Sequence, residues 1–408
     1  MKKTFGLLGE KLEHSFSPLI HAHLGYYEYP LYEISPGEFD AFMTERRFDG
    51  INVTIPYKQA VMPYCATLSD EARSIGSVNT IIKGGDGLLY GHNTDHYGFS
   101  VMLKRGSIDP NGRKVLVLGD GGSARTVRAV LGQQGAGDVV TVSRRGENHY
   151  GNIERHYDAE IIVNTTPVGM YPHNGMSPLS LEGFYRLAGV ADLIYNPLRS
   201  KLLLDAGQAG IPCTNGLSML VAQAEMASRL FLDVPARPEL TTKIIDEILL
   251  KTQNVALIGM PGCGKSTIGR SLAQMMGRTF VDVDELIEAV AGKPIPAIFA
   301  EDGESAFRSL ETRLLSQEAK KSGLVIAAGG GVVTQPENFN LLRQNSLIVY
   351  LKRELAELAT VGRPLSQKMG IQALAEQRLP LYEAWCDCVA LSEADPELAA
   401  ARILEAIL

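Results

Sequence analysis

The chain has one tryptophan, Trp385, and only five cysteines among its 408 residues. Cys65, Cys213, Cys263, Cys386 and Cys388 have the spacing of neither a disulfide framework nor a zinc site, and Cys386-Asp-Cys388 is too close for a metal finger. No run of 18 apolar residues offers a membrane span. Lys2 and Lys3 lead only into a short apolar run broken by glycine, which is not a secretory signal. A basic excess is missing too: the formal net charge of −7 leaves no footprint for nucleic acid. An anionic substrate must then be met by local positive clusters. There is no internal repeat and no low-complexity tract. The expectation is a globular protein of the reducing cytoplasm, with two or three domains, no nucleic-acid or membrane partner and an oligomeric state left open.

Past the middle of the chain stands an explicit motif. Asn254-Val-Ala-Leu-Ile258 reads as a buried parallel strand that runs into Gly259-Met-Pro-Gly262-Cys-Gly264-Lys265-Ser266-Thr267. The spacing is that of a P-loop, whose glycines let backbone N–H groups wrap a phosphate at a helix N-terminus. Gly262, Gly264, Lys265, Ser266 and Thr267 are the candidate ATP contacts. Lys265 would reach the β/γ-phosphates, and the Ser266 hydroxyl would ligate Mg²⁺. The bland alternative is a glycine-rich turn that binds nothing.

The first hundred residues are different. In Gly50-Ile-Asn52-Val-Thr54-Ile-Pro-Tyr-Lys58, Ile51, Val53 and Ile55 face one side of a strand, while Asn52 and Thr54 face the other. Ser15 and Ser17 alternate, so in extended chain their hydroxyls share a side. Ser77-Val-Asn79-Thr and Gly91-His-Asn93-Thr-Asp95 are further polar strand ends.

These pieces, followed by Gly216-Leu-Ser-Met-Leu-Val-Ala-Gln223, resemble the shikimate dehydrogenase family over residues 1 to about 250. The resemblance implies that Ser15, Ser17, Asn52, Thr54, Asn79, Asp95, Tyr195 and Gln223 hold the hydroxyls and carboxylate of a cyclohexene acid. It also implies that Lys58 and Asp95 form an acid/base pair. A carbonyl reduced by hydride becomes an alkoxide that needs a proton, and a lysine beside a carboxylate can hold and deliver one.

Arg113-Lys-Val-Leu-Val-Leu-Gly119-Asp-Gly121-Gly122-Ser123-Ala124 is a strand, glycine turn and helix start, a variant of the dinucleotide fingerprint. The next strand ends in Ser143-Arg144-Arg145, where an NAD site usually has an acidic residue, so a 2′-phosphate and hence NADP is expected. Asn164 and Thr165 end a later strand that resembles the nicotinamide side of the family's site. Two features depart from the family: Asp120 lies inside the glycine turn, and residues 146–159 read as a loop.

After the P-loop helix come Asp282-Val-Asp284, Phe307-Arg308-Ser-Leu-Glu311, Gly329-Gly330-Gly331, Arg363-Pro-Leu and Arg378-Leu-Pro-Leu-Tyr382. This order resembles shikimate kinase from about residue 253 to the C-terminus. The resemblance implies that Arg308 and Arg378 clamp a substrate carboxylate with help from Gly330. By the same resemblance, Asp284 deprotonates the attacking hydroxyl, Asp282 helps order Mg²⁺, and Arg363 closes over the phosphates from a lid segment. For Arg308, an ion pair with Glu311 is the alternative.

The expected architecture is α/β: a two-lobed shikimate-dehydrogenase-like unit with a Rossmann NADP domain, then a P-loop kinase domain with a parallel sheet. Residues 1–100 form the substrate lobe, with helices from 224–250 returning to it. Residues 101–223 form the dinucleotide domain and 253–408 the kinase domain. The expected function is NADPH-dependent reduction of 3-dehydroshikimate to shikimate, followed by ATP- and Mg²⁺-dependent phosphorylation. The alternatives are a quinate/shikimate dehydrogenase in the first half, or a first half that has become a ligand sensor.

Overall fold

The structure, a computed structural model, describes residues 3–12, 16–358 and 370–407. The chain divides into two compact units. One comprises Met1–Val168, Ser177–Tyr195 and Asp205–Asp246, and the other Gly169–Met176, Asn196–Leu204 and Glu247–Leu408. Two short stretches of the expected dinucleotide segment thus group with the C-terminal unit. Among the described residues no helix is long and apolar enough to cross a membrane.

The first unit contains two sheets. In the six-stranded one, β1 (Phe5–Gly9), β2 (Leu31–Glu33), β3 (Gly50–Val53), β4 (Thr67–Leu68), β5 (Thr80–Lys83) and β6 (Leu89–His92) lie in the order β2-β1-β3-β5-β6-β4. Pairing is parallel from β2 through β3 and antiparallel from β3 to β6. The period of two expected here holds for Ile51 and Val53 but not for Ile55, which lies past the end of β3 and is 76% exposed. Ile51 and Val53 enter a core with Leu8, Phe48 and Ile81. Asn52 is buried and borders a polar cavity.

The second sheet is wholly parallel, with β7 (Lys114–Leu118), β8 (Asp138–Val142), β9 (Ile161–Asn164), β10 (Gly189–Asp192) and β11 (Cys213–Asn215) in the order β11-β10-β9-β7-β8. It has apolar side chains on both faces, as parallel strands between helices require. Val115, Val117, Ile161 and Val163 pack with Phe99, Met102 and Val127 on one face, while Leu116, Leu118 and Ile162 pack with Ala159 on the other. The stretch expected as a loop between β8 and β9 includes a 3₁₀ segment, Tyr150–His156, capped by His149. Tyr150 and Ile153 on that segment pack against the second face, so burial imposes the turn.

The helix Leu217–Leu232 runs unbroken through 223 and 224, where a boundary was expected. It packs along the helices Asp95–Arg105 and Ser17–Leu24, and Phe231 stacks on Phe5 with ring centroids 4.4 Å apart. Ser17 is the first residue of its helix, so the extended geometry expected for Ser15 and Ser17 does not hold at Ser17. Ser15 lies outside the described residues.

The C-terminal unit is built on a parallel sheet of β12 (Asn254–Ile258), β13 (Thr279–Asp282), β14 (Leu324–Ala327), β15 (Ser346–Lys352) and β16 (Cys388–Leu391), ordered β13-β14-β12-β15-β16. The strand leading to the phosphate loop is therefore central. Its first residue is fully buried: Asn254 Nδ2 donates to the Lys321 carbonyl at 2.7 Å, and its Oδ1 accepts from Leu324 N at 2.8 Å. This one carboxamide fastens the end of the Gly303–Glu318 helix to the start of β14. Replacing it takes the side-chain acceptor from the buried Leu324 N–H, while the Lys321 carbonyl keeps Asn345 Nδ2 at 2.9 Å. Asn254→Ala is expected to lower the stability of this unit by about 1–3 kcal/mol. Denaturant titration followed at the single tryptophan reads this, since Trp385 packs on Phe339 within the same unit (5.3 Å between centroids).

Candidate active sites

In the first unit, a cavity of about 540 Å³ collects side chains from separated strand ends. Lys58 follows β3 by a short turn, and Asp95 opens the Asp95–Arg105 helix. Lys58 Nζ lies 2.6 Å from Asp95 Oδ2, and the side chains are 29% and 17% exposed. The pair is held yet open to a small molecule. Ser17, Asn52, Thr54, Asn79, Tyr195 and Gln223 line the same space, so the structure brings together the substrate residues expected from sequence, apart from the undescribed Ser15.

Their orientation is set by hydrogen bonds that do not involve a ligand. Asn79 Oδ1 accepts from Thr94 N at 2.7 Å and from Thr80 Oγ1 at 3.1 Å. Asn52 Nδ2 donates to Thr80 Oγ1 at 3.0 Å, and Gln223 Nε2 to the Leu220 carbonyl at 2.9 Å. Tyr195 is packed edge-on to Phe16, and burial pushes its phenol up from the usual value. At Gly216 a Cβ would come 2.0 Å from the Leu193 carbonyl oxygen, so only glycine lets the Leu217–Leu232 helix start against that strand end. Lys11, Leu12 and Leu193 also line the cavity and carried no motif, whereas Met219 and Leu220 line it from within the Gly216–Gln223 stretch.

The dinucleotide side is more mixed. Gly119 sits at φ +101°, and a Cβ there would meet Thr165 Oγ1 at 2.8 Å. Gly121 and Gly122 have open space where a Cβ would be, so a pyrophosphate can approach the backbone. Ala124 is buried under this turn, whereas Ser123 lines the cavity. Arg144 and Arg145 are exposed beyond β8, and the Ser143 hydroxyl donates to the Arg145 carbonyl at 2.9 Å. Asp120 is exposed as well. These groups fit a dinucleotide with an extra phosphate.

Asn164 and Thr165, expected at the cofactor, have their polar side-chain atoms held by the protein. Asn164 is fully buried: its Nδ2 donates to Asp192 Oδ1 at 3.0 Å, and its Oδ1 accepts from Thr166 N at 3.0 Å. The Thr165 hydroxyl donates to the Leu118 carbonyl at 2.6 Å. Both shape the carboxyl ends of β7, β9 and β10, and these side chains are already committed to the protein.

The C-terminal unit has a cavity of about 530 Å³ at the carboxyl ends of its strands. Gly262 and Gly264 take φ of +86° and +95°, and the Lys265–Met276 helix starts at once. Lys265 Nζ donates to the carbonyls of Gly259 at 2.9 Å and Met260 at 3.1 Å. Ser266 and Thr267 line the cavity beside it. Asp282 ends β13 and caps the next helix, its Oδ1 accepting from Asp284 N at 3.0 Å. One of its carboxylate oxygens is thus committed to the backbone. Among the described residues no cluster of acidic, His or Cys side chains forms a metal cage. The Ser266 hydroxyl and the Asp282 carboxylate are oxygen donors of the kind that suits a Mg²⁺ ion carried in by a nucleotide.

Asp284 is the most perturbed carboxyl of the cavity. Burial pushes its pKa up to about 6, with Glu311 and Asp282 adding to the rise and Lys265 and Arg308 opposing it. Glu311 is likewise raised, chiefly by burial. Arg308 Nη1 donates to Glu311 Oε2 at 2.7 Å, so the ion pair anticipated as an alternative exists, but buried at the cavity wall. A Cβ on Gly331 would lie 2.2 Å from the Arg308 guanidinium, which packs closely against this glycine. Arg378 Nη1 donates to the Gly330 carbonyl at 3.1 Å, and the Tyr382 hydroxyl donates to the same oxygen. Among the described residues, Arg308 Nε and Arg378 Nε are buried without a partner. Two guanidiniums with spare donors suit a carboxylate. Arg363 lies outside the described residues. Arg353, unmarked in the sequence, lines the cavity from the end of β15.

Comparison with known proteins divides along the same chain. Residues 7–81 match the family model described as Shikimate dehydrogenase substrate binding domain, and residues 261–408 that described as Shikimate kinase. The chain is 35% identical over 272 residues to a Shikimate dehydrogenase (NADP(+)) of Clostridium perfringens strain SM101, covering 60% of this chain and 98% of the relative. It is 38% identical over 253 residues to one of Geobacillus kaustophilus (56% and 91%). Among solved structures, Shikimate 5-Dehydrogenase from Thermus thermophilus in complex with NADP(H) and shikimate is similar at TM-score 0.55 and 30% identity, over 60% of this chain and 99% of that one. A chorismate mutase/shikimate 5-dehydrogenase fusion protein from Clostridium acetobutylicum gives TM-score 0.57 at 33% identity (61% and 97%).

The electrostatics of the second cavity can be read without a ligand. The carboxyl carbon of Asp284 should titrate near pH 6 in a carbon-13 NMR experiment, with Asp284→Asn identifying the signal. A midpoint at the ordinary aspartate value would contradict the burial described.

Proposed function

Since the chain belongs to the shikimate dehydrogenase family and carries a shikimate kinase domain at its C-terminal end, we propose that it performs two successive reactions on one ring. The first is NADPH-dependent reduction of 3-dehydroshikimate to shikimate; the second is transfer of the ATP γ-phosphoryl group to the shikimate 3-hydroxyl. These are consecutive steps of the shikimate route to chorismate and the aromatic amino acids. The observation that carries the reading is the content of the two cavities: one has the Lys58–Asp95 pair, the other a phosphate-loop lysine beside Asp284 and two buried arginines. The free state of the described cysteines suits a reducing cytoplasm.

In the first cavity NADPH, when bound, supplies the hydride. The substrate carbonyl oxygen then needs a proton, which the Lys58 ammonium delivers while Asp95, at 2.6 Å, compensates its charge. Asn52, Asn79, Thr54, Ser17 and Gln223 offer neutral hydrogen-bonding groups to a polyhydroxylated ring. A ligand lacking a matching hydroxyl leaves one of them unpaired, at a cost of about 1–3 kcal/mol. Arg144 and Arg145 meet the 2′-phosphate.

In the second cavity ATP, with Mg²⁺, supplies the phosphoryl group. Phosphoryl transfer asks mainly for positioning and charge neutralisation. Arg308 and Arg378 hold the ring carboxylate, Asp284 accepts the hydroxyl proton, and Lys265 with the helix N-terminus neutralises the phosphates. Proton acceptance requires ionised Asp284. Its pKa is raised to about 6, so this contribution is present above that pH and is lost as pH falls through it.

With NADPH, ATP, Mg²⁺ and 3-dehydroshikimate, the chain should release NADP⁺ and ADP together; absence of ADP above background would overturn the two-step reading. Lys58→Ala is expected to lower only the first activity, and Lys265→Ala only the second, each by about 100-fold or more. Separate initial-rate assays check both. The acid limb of kcat/KM for the kinase should fall near pH 6, and Asp284→Asn should abolish that limb with most of the rate.

A further inference from the structure

Behind the Lys58–Asp95 cavity runs a chain of polar groups to which neither reaction assigns a role. His21 is 1% exposed, and its Nδ1 lies 2.7 Å from the Tyr27 hydroxyl. Its ring stacks on Tyr29 with centroids 3.8 Å apart and planes 11° from parallel. Burial drives its pKa down to about 3, against a hydrogen bond to Asn52 that favours the charged form. The ring is therefore neutral, with one donor and one acceptor nitrogen. If the Tyr27 hydroxyl donates to Nδ1, the remaining N–H serves Asn52, and both neighbours are satisfied.

Tyr29 closes the arrangement. Its hydroxyl donates to Asn52 Oδ1 at 2.7 Å and is also hydrogen-bonded with Ser17. The carbonyl end of the Asn52 side chain is thus occupied from behind. Its Nδ2 donates to Thr80 Oγ1 at 3.0 Å and reaches the Asn79 carbonyl only at 3.5 Å. One Nδ2–H is left weakly engaged at the edge of the cavity that Asn52 lines. A carboxamide is nearly symmetrical in shape, so only its partners decide which end a ligand meets.

We propose that Tyr29 is a specificity-determining positioning residue for the dehydrogenase cavity. Its hydroxyl bridges Ser17 and Asn52 and locks the Asn52 carboxamide with an N–H toward the ligand. The cavity then selects a ring oxygen at that place. Without the phenol the carbonyl end of the amide keeps only the His21 N–H of its two donors, so the flipped orientation, which sets an acceptor against that oxygen, becomes more accessible. This inference rests on the dehydrogenase reading above.

Tyr29→Phe keeps the ring stacked on His21 and removes only the hydroxyl. In the full chain, shikimate oxidation should show a KM about tenfold higher, kcat within about twofold and an unchanged KM for NADP⁺. The kinase activity of the same preparation should be intact and serves as a folding control. A panel of shikimate analogues, each lacking one hydroxyl or the carboxylate, should show the penalty for one missing group shrinking about tenfold in the variant while the others stand. Asn52→Ala alone should erase selectivity for the same group, and adding Tyr29→Phe to it should change nothing further. A fall in kcat at constant KM, an equal loss for every analogue, or Asn52→Ala that retains all selectivities overturns the proposal. The last outcome does so without the Tyr29 variant. No shikimate oxidation by the unaltered chain overturns the dehydrogenase reading itself, and this inference with it.

Discussion

Parallel pairing is the constraint on which both units depend. A strand joined in parallel to its neighbour must be reached by a crossover, so the carboxyl ends of all strands gather on one edge of the sheet. In the sheet of β7–β11 that edge carries the Gly119 turn, and in the sheet of β12–β16 it carries the phosphate loop, with β12 in the middle. Asp284 is delivered to that edge directly after β13, and Arg308 and Arg378 reach the same cavity from the helices Gly303–Glu318 and Ile371–Trp385. The six-stranded sheet is mixed, yet it follows the same logic locally: Lys58 comes after β3 and Asp95 after β6. Between them β5 places Thr80, which ties Asn52 and Asn79 into one hydrogen-bonded set.

Much of this was legible in the residues because it follows from short-range rules. Four apolar residues before Gly259 meant a buried strand, and the glycine spacing meant a helix starting at Lys265. Alternation around Asn52 separated a core face from a polar face. The pairing of Lys58 with Asp95, 37 residues apart, needed a family resemblance rather than a local pattern, since nothing at either residue names its partner.

What escaped the sequence is orientation. Asn164 and Thr165 stand at a strand end where a cofactor contact is expected, and the sequence does not say that Asp192 and Leu118 already hold their polar atoms. Arg308 and Glu311 read as a helical ion pair, but the spacing does not reveal that this face is buried over Gly331. Tyr29 and His21 carry no motif at all, because their role appears only when β1, β3 and the Ser17–Leu24 helix bring them against Asn52. The Tyr150–His156 segment was hidden for a similar reason: its composition is that of a loop, and only burial of Tyr150 and Ile153 turns it into a helical turn.

The presence of both cavities on one polypeptide has a consequence for supply and demand. Two enzymes made from separate messages can be balanced by making more of one. Here every molecule synthesised adds one centre of each kind, and degradation removes them as a pair. If the second reaction has to keep pace with the first, that balance must be written into side chains such as Asp284 and Lys58 themselves, because no change in expression can alter their proportion.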